Sequence, residues 1–104
     1  TYIADVIQGT TAALDYNGSL YDVFNLGESE TIQLKDLISA IENALGKKAK
    51  INRLPEQPGD MPRTYADISK ARKSLAYNPT TKFTEGLPKF IDWFLHNRGT
   101  ARTE

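Results

Sequence analysis

A hydride-transferring enzyme built on a tyrosine needs a lysine four residues on, where one helix face brings the two together and the ammonium lowers the phenol's pKa. None of the five tyrosines in this chain has one: the residues at those positions are Val6, Leu20, Asn25, Ser69 and Thr81. The seven glycines form neither G-x-G-x-x-G nor G-x-x-G-x-x-G, so no dinucleotide phosphate cradle is encoded. The single histidine, His96, falls late in a helical stretch, where it complements the helix dipole better than it serves as a base. One histidine and no cysteine cannot build a typical zinc site. Asn17-Gly18-Ser19 has the form of a glycosylation acceptor but reads as a turn, since no secretory signal is seen. What remains is the loop over 56–64, with Pro58-Gly59-Asp60, Pro62 and Arg63. By itself Pro58-Gly59-Asp60 is a turn. Arg63 has the charge to meet a phosphate and equally the character of a solvated surface residue.

Thirteen Lys and Arg balance thirteen Asp and Glu. A nucleic-acid surface needs a basic excess or a basic stripe, so no nucleic-acid partner is expected. Lys47, Lys48 and Lys50 follow a helix and read as a solvated last turn. No apolar run reaches the roughly 18 residues of a membrane span, so no membrane partner is expected. The absence of cysteine suits a reducing compartment, and the expected location is cytoplasmic. The apolar pattern is already running at Tyr2, so the opening reads as a cut through a longer protein.

The elements that would position these residues follow from periodicity. Ile3, Val6, Ile7, Thr10, Ala13 and Leu14 recur at helical spacing, and Asn17-Gly18 ends that helix. Tyr21 to Leu26 is rich in strand formers and stops at Gly27. Leu34, Leu37, Ile38, Ile41 and Leu45 form the clearest stripe, with Gly46 as its cap. Lys50 to Leu54 reads as a short strand stopped by Pro55. Strand, helix, strand is a βαβ unit with two short parallel strands and a right-handed crossover. Asp67 is placed to cap a short helix that buries Ile68, Ala71 and Leu75, and Tyr77-Asn78-Pro79 breaks it. Thr84 is placed to cap a last helix with the stripe Leu87, Phe90, Ile91, Phe94 and Leu95, and Pro88 near its first turn. The expected fold class is α/β, with about four helices in one domain over 1–98 and a disordered tail over 99–104.

Several landmarks occur in a fixed order. Thr1-Tyr2-Ile3-Ala4-Asp5-Val6, then Phe24-Asn25-Leu26-Gly27, then Ala44-Leu45-Gly46-Lys47-Lys48-Ala49 are followed by Gln57-Pro58-Gly59-Asp60. Thr64-Tyr65-Ala66-Asp67, Ser69-Lys70-Ala71, Tyr77-Asn78-Pro79 and Gly86-Leu87 through Asp92-Trp93-Phe94 complete the series. The series resembles the carboxyl-terminal, substrate-binding part of the extended short-chain dehydrogenase/reductase family of NAD-dependent nucleotide-sugar epimerases and dehydratases. Gln57 before Pro-Gly-Asp looks most like UDP-glucuronate 4-epimerases, where UDP-galactose 4-epimerases tend to carry arginine.

The resemblance implies oxidation at sugar C4 by bound NAD, rotation of the keto sugar and reduction from its other face, interconverting UDP-glucuronate and UDP-galacturonate. It places the catalytic tyrosine and lysine, the Rossmann domain and the NAD site outside this chain, which alone is expected to be inactive, with no catalytic or cofactor-binding residue. It implies substrate-binding roles for Asp60, matching the acid that accepts hydrogen bonds from ribose hydroxyls, and for Gln57 on the diphosphate side, with Arg63 beside them. Tyr65 and Asp67 are landmarks that a packing ring and a helix cap explain. Asp5 reads as a dipole or capping residue. The implied partners are a UDP-sugar and the missing amino-terminal domain, and the face bared by that domain's absence is expected either to self-associate weakly or to leave residues 1–8 and 56–64 locally disordered. The alternatives are a freestanding ligand-binding or interaction module, or a piece of a related dehydratase, decarboxylase or UDP-galactose 4-epimerase.

Overall fold

The computed structural model describes residues 1–28 and 30–98, and the tail expected to be disordered from Gly99 lies outside them. Four helices are present: α1 (Ile3–Leu14), α2 (Leu34–Leu45), α3 (Ser69–Leu75) and α4 (Phe83–Asn97). The chain divides into two compact units, one of residues 1–31 and 58–81, the other of residues 32–57 and 82–104.

In the first unit α1 packs on α3. Ile68, Ala71, Leu75 and Tyr77 form its buried centre, with Ala12, Tyr16, Phe24, Leu26 and Ala66 packed around them. Tyr16 and Phe24 meet edge to face with ring centroids 5.0 Å apart, the geometry their quadrupoles favour. Gly9 permits the close approach of α1 to this centre: a Cβ there would lie 2.7 Å from a Leu26 methyl and 2.8 Å from the Tyr77 ring. After α3 the chain reverses at Ala76, whose φ of 52° is left-handed, a conformation that costs a residue with a Cβ on the order of 1 kcal/mol. Ala76→Gly is therefore expected to stabilise the chain by about 0.5–1 kcal/mol, read as a higher midpoint in thermal unfolding. A lower midpoint would show that the alanine methyl makes a packing contact worth more than the strain.

In the second unit α2 packs on α4. The stripe of α2 is only partly covered: Leu37, Ile38, Ile41 and Leu45 are half-buried and Leu34 is exposed. Gly46 takes the expected left-handed cap at φ 63°, and the Lys47 N–H returns to the Glu42 carbonyl at 3.2 Å. Gly86 and Ile91 are the buried residues of α4, while Phe90 and Phe94 of the expected stripe stay about half exposed. The helix starts two residues earlier than a Thr84 cap predicts. Lys82 is its N-cap, with a carbonyl that accepts from the amides of Glu85 and Gly86, so Thr84 lies inside the first turn and does not cap. Pro88 accordingly sits at the sixth helical position, where its missing N–H leaves the Thr84 carbonyl without its usual donor.

The expected α/β class is corrected: the described residues contain four helices and no strand. Both stretches expected to be strands, 21–26 and 50–54, lack helical structure but join no ladder. A strand exists only through hydrogen bonds to a neighbour, and strand-forming residues report a side-chain fit to a half-buried surface rather than a partner. Phe24 and Leu26 meet that fit by packing on the helical core of the first unit. Residues 50–54 are exposed throughout.

Candidate functional site

The polar groups of the first unit are set by its core. Tyr77 is 0% exposed, and its hydroxyl donates to the Gly27 carbonyl at 2.9 Å, so the buried phenol is satisfied. Burial, reinforced by the negative charges of Asp5 and Glu28, pushes its pKa above the ordinary tyrosine value. Asp5, in the first turn of α1, is 6% exposed. It does not cap its own helix: its two carboxylate oxygens accept the backbone N–H groups of Thr80 and Thr81, at 3.2 and 3.0 Å. One turn on, the Gln8 side-chain carbonyl accepts the Asn78 N–H at 3.3 Å. Three amides of the segment that leaves the core are thus held by α1.

A second polar cluster has no counterpart in the sequence reading. Asp22 accepts from Lys70, from the Tyr16 hydroxyl at 3.1 Å and from the Val23 N–H at 2.8 Å. Lys70 also donates to the Val23 carbonyl at 2.9 Å and lies 4.9 Å from the centroid of the Phe24 ring. The Lys70 ammonium, then the Val23 amide, holds the Asp22 carboxyl below the usual range. Asp67 and Glu42 are also lowered, Asp67 by the Ser69 hydroxyl and amide, Glu42 by the Ala49 amide and then Lys48. A folded pKa below the unfolded one gives stability that is present above the unfolded value and lost as pH falls through the folded value, so all three groups favour the fold near neutrality and release it in acid. Asp67 does engage the start of α3, but from one residue before the N-cap, Ile68, accepting the Ser69 N–H at 2.9 Å.

The loop expected to bind substrate is open. Gly59 has φ 91°, which fixes the turn and excludes a side chain there. Asp60 and Arg63 are both exposed, and no hydrogen bond or ion pair occupies or joins their side chains among the described residues. Asp60 therefore presents two free carboxylate oxygens, the acceptor set that a vicinal diol requires. Gln57 is exposed and donates its amide N–H to the Pro55 carbonyl at 3.2 Å. It closes a stretch of the second unit, whereas Pro58, Asp60 and Arg63 belong to the first. Tyr65, expected as a packing ring, is 62% exposed. His96 Nδ1 lies 2.7 Å from the Asp92 carbonyl in its own helix, a bond in which the ring N–H donates.

The residues present do not fit NAD. The helices begin after Tyr2, Gln33, Ile68 and Lys82, none of them preceded by a glycine cradle, and the two described glycines with positive φ, Gly46 and Gly59, precede no helix N-terminus. Among the described residues no group of three or more His, Asp or Glu side chains could hold a metal ion. No described helix is long and apolar enough to cross a membrane.

No family model matches the chain. It is 47% identical over 98 residues to an uncharacterised protein of Methanocaldococcus jannaschii, covering 94% of this chain and 30% of that protein. It is 40% identical over 109 residues to UDP-glucuronate 4-epimerase 4 of Arabidopsis thaliana, covering 91% of this chain and 25% of that enzyme. The fold matches the crystal structure of the Bacillus cereus UDP-glucuronic acid 4-epimerase in complex with UDP-glucuronic acid and NAD. There the TM-score is 0.82 at 40% identity, over 92% of this chain and 31% of that one. The chain thus spans less than a third of the length of the relatives it matches.

Proposed function

We propose that this chain, a member of the extended short-chain dehydrogenase/reductase family, is a carboxyl-terminal stretch of a UDP-glucuronate 4-epimerase and that it supplies one wall of a UDP-sugar site. The whole enzyme's activity, in this reading, is the interconversion of UDP-glucuronate and UDP-galacturonate at C4. The tyrosine, lysine and phosphate-binding glycines of that chemistry lie outside these 104 residues, whose task is to hold the nucleotide.

The observation that carries the reading is the state of Asp60. Most carboxylates with a structural task in this chain already have donors, as Asp5, Asp22, Glu42 and Asp67 do. Asp60 follows a turn that glycine favours, with no hydrogen bond or ion pair on either oxygen among the described residues. It accepts the two ribose hydroxyls of UDP. Arg63, on the same loop, meets the diphosphate as a charge. Gln57 donates to a diphosphate oxygen once its amide exchanges the Pro55 carbonyl for the ligand, a weaker contact than an arginine fork.

One wall binds weakly, so UDP is expected to bind this chain with a dissociation constant on the order of millimolar, about 4 kcal/mol of binding free energy. Asp60→Asn replaces a charged acceptor by an amide and is expected to weaken that binding about fivefold. NMR titration with UDP checks both, through amide shifts clustered in residues 56–67. Shifts that cluster elsewhere, or an unchanged affinity in Asp60→Asn, would remove this loop from the nucleotide site.

A further inference from the structure

Six asparagines occur in the chain, and only Asn17 is followed by glycine. The pair lies just beyond the Asp15 cap of α1, in irregular backbone, and both residues are exposed. Neither the Asn17 side chain nor the Gly18 N–H has a hydrogen-bond partner among the described residues. The anchors lie on either side of them. The Tyr16 N–H donates to the Ala13 carbonyl at 3.3 Å, and the Ser19 hydroxyl donates to the Tyr21 carbonyl at 2.9 Å. Asn17-Gly18 is thus the slack between two held points. Gly18 is constrained in type even so. A Cβ there would lie 2.6 Å from the Tyr16 hydroxyl oxygen and 2.8 Å from its ring. That hydroxyl is held by Asp22, and that ring packs on Phe24.

We propose that Asn17 is a site of spontaneous deamidation through a cyclic imide. The Gly18 amide nitrogen, deprotonated by hydroxide, attacks the Asn17 side-chain carbonyl carbon. A new C–N bond closes a five-membered ring, and the side-chain nitrogen leaves as ammonia. Water then opens the ring at either carbonyl. One opening gives aspartate; the other gives isoaspartate, whose backbone runs through the former side chain. No oxidant, reductant or enzyme takes part. Gly18 favours the closure because it has no Cβ to obstruct the attack, and its N–H has no acceptor to give up.

The product disturbs the first unit in two ways. A carboxylate replaces an amide two residues past the cap of α1, at the carboxyl end of the helix dipole, where a negative charge is unfavourable. The balance of thirteen cations and thirteen anions becomes an excess of one anion. Isoaspartate also adds a methylene to the backbone directly before Gly18, which lies against Tyr16. Tyr16 joins this turn to the Asp22–Lys70 cluster, so the added length loosens that cluster from its edge. The close contact that calls for glycine is therefore also what leaves the asparagine before it labile.

Incubation of the folded chain in mildly alkaline buffer, followed by peptide mass mapping and by methyl labelling with an isoaspartyl carboxyl methyltransferase, tests this. Asn17 is expected to convert about tenfold or more faster than Asn25, Asn43 or Asn52, whose successors all carry a Cβ. The rate is expected to rise in proportion to hydroxide. Asn17→Gln closes only a larger, slower ring, and is expected to lose the methyl label while keeping the parent's melting midpoint. The isoaspartyl chain, separated by its extra charge on anion exchange, is expected to melt below Asn17→Asp, which carries the charge without the added methylene. In it the Val23 amide, held by Asp22, loses hydrogen-exchange protection. An Asn17 that stays intact in the folded chain, or converts no faster than the other asparagines, overturns the proposal. An isoaspartyl chain as stable as Asn17→Asp overturns the coupling to Tyr16.

Discussion

Tyr77→Ala is expected to cost about 3–5 kcal/mol and to leave the first unit without a fixed core. Tyr77 is the largest side chain in the molecule that is fully buried, and its ring fills the space that Gly9 leaves open on α1. Ala71 and Leu75 are fixed on α3 and Ile68 at its N-cap, which limits collapse into that volume. Tyr77→Phe separates the ring from the hydroxyl. It keeps the packing and strands the Gly27 carbonyl, for an expected loss of about 1–3 kcal/mol. Urea unfolding followed by circular dichroism measures both, and a phenylalanine variant as stable as the parent would mean that another donor reaches Gly27. The two variants also differ from the parent in alkali. The folded phenol has a pKa above its unfolded value, so it contributes stability that is fully present below the unfolded pKa near 10 and is lost as pH rises through the folded one. Tyr77→Phe is expected to lack that part of the alkaline decline.

Asp5→Ala is the second large effect, with an expected loss of about 2–4 kcal/mol. Both oxygens of this buried carboxylate are in use, each on a backbone N–H some 75 residues away. Alanine leaves the part-buried Thr80 and Thr81 amides without their acceptor and removes an acid from the first turn of α1. Asp5→Asn keeps an acceptor without the charge and is expected to fall between the two. Hydrogen exchange gives the local readout: the Thr80 and Thr81 amides lose protection ahead of the rest of the unit. Protection that survives in Asp5→Ala would show that these amides are held by something other than the carboxylate.

The helices were legible in the sequence because their signals are local. The stripe Leu37, Ile38, Ile41 and Leu45 with Gly46 at its end defines α2 within fourteen residues of chain, and the left-handed cap is found there. Gly59 likewise marks a turn that the backbone makes. The strands were not legible, because a strand is a relation between two segments and the residues at 21–26 state only half of it. The same holds for the polar pairs. Asp5 with Thr80, and Asp22 with Lys70, join positions 75 and 48 residues apart, and nothing in either neighbourhood names the other. Tyr65 shows the converse failure: a ring suggests packing, yet here it is 62% exposed while its neighbour Ala66 packs on the core. For the loop over 56–64 the sequence supplied residue types in an order, and the structure adds that Asp60 is exposed and makes no side-chain hydrogen bond or ion pair among the described residues.

Each of the two units is woven from two separated stretches of chain, 1–31 with 58–81 and 32–57 with 82–104. This interleaving sets an order of assembly during synthesis, when a chain emerges amino end first. The first unit is complete in covalent terms at Thr81, before any of α4 has been made. Its core, closed by Tyr77 onto Gly27, can form while α2 waits on an unpartnered loop. The half-covered stripe of α2 is thus the surface that a nascent chain leaves open longest, and the one a chaperone would meet.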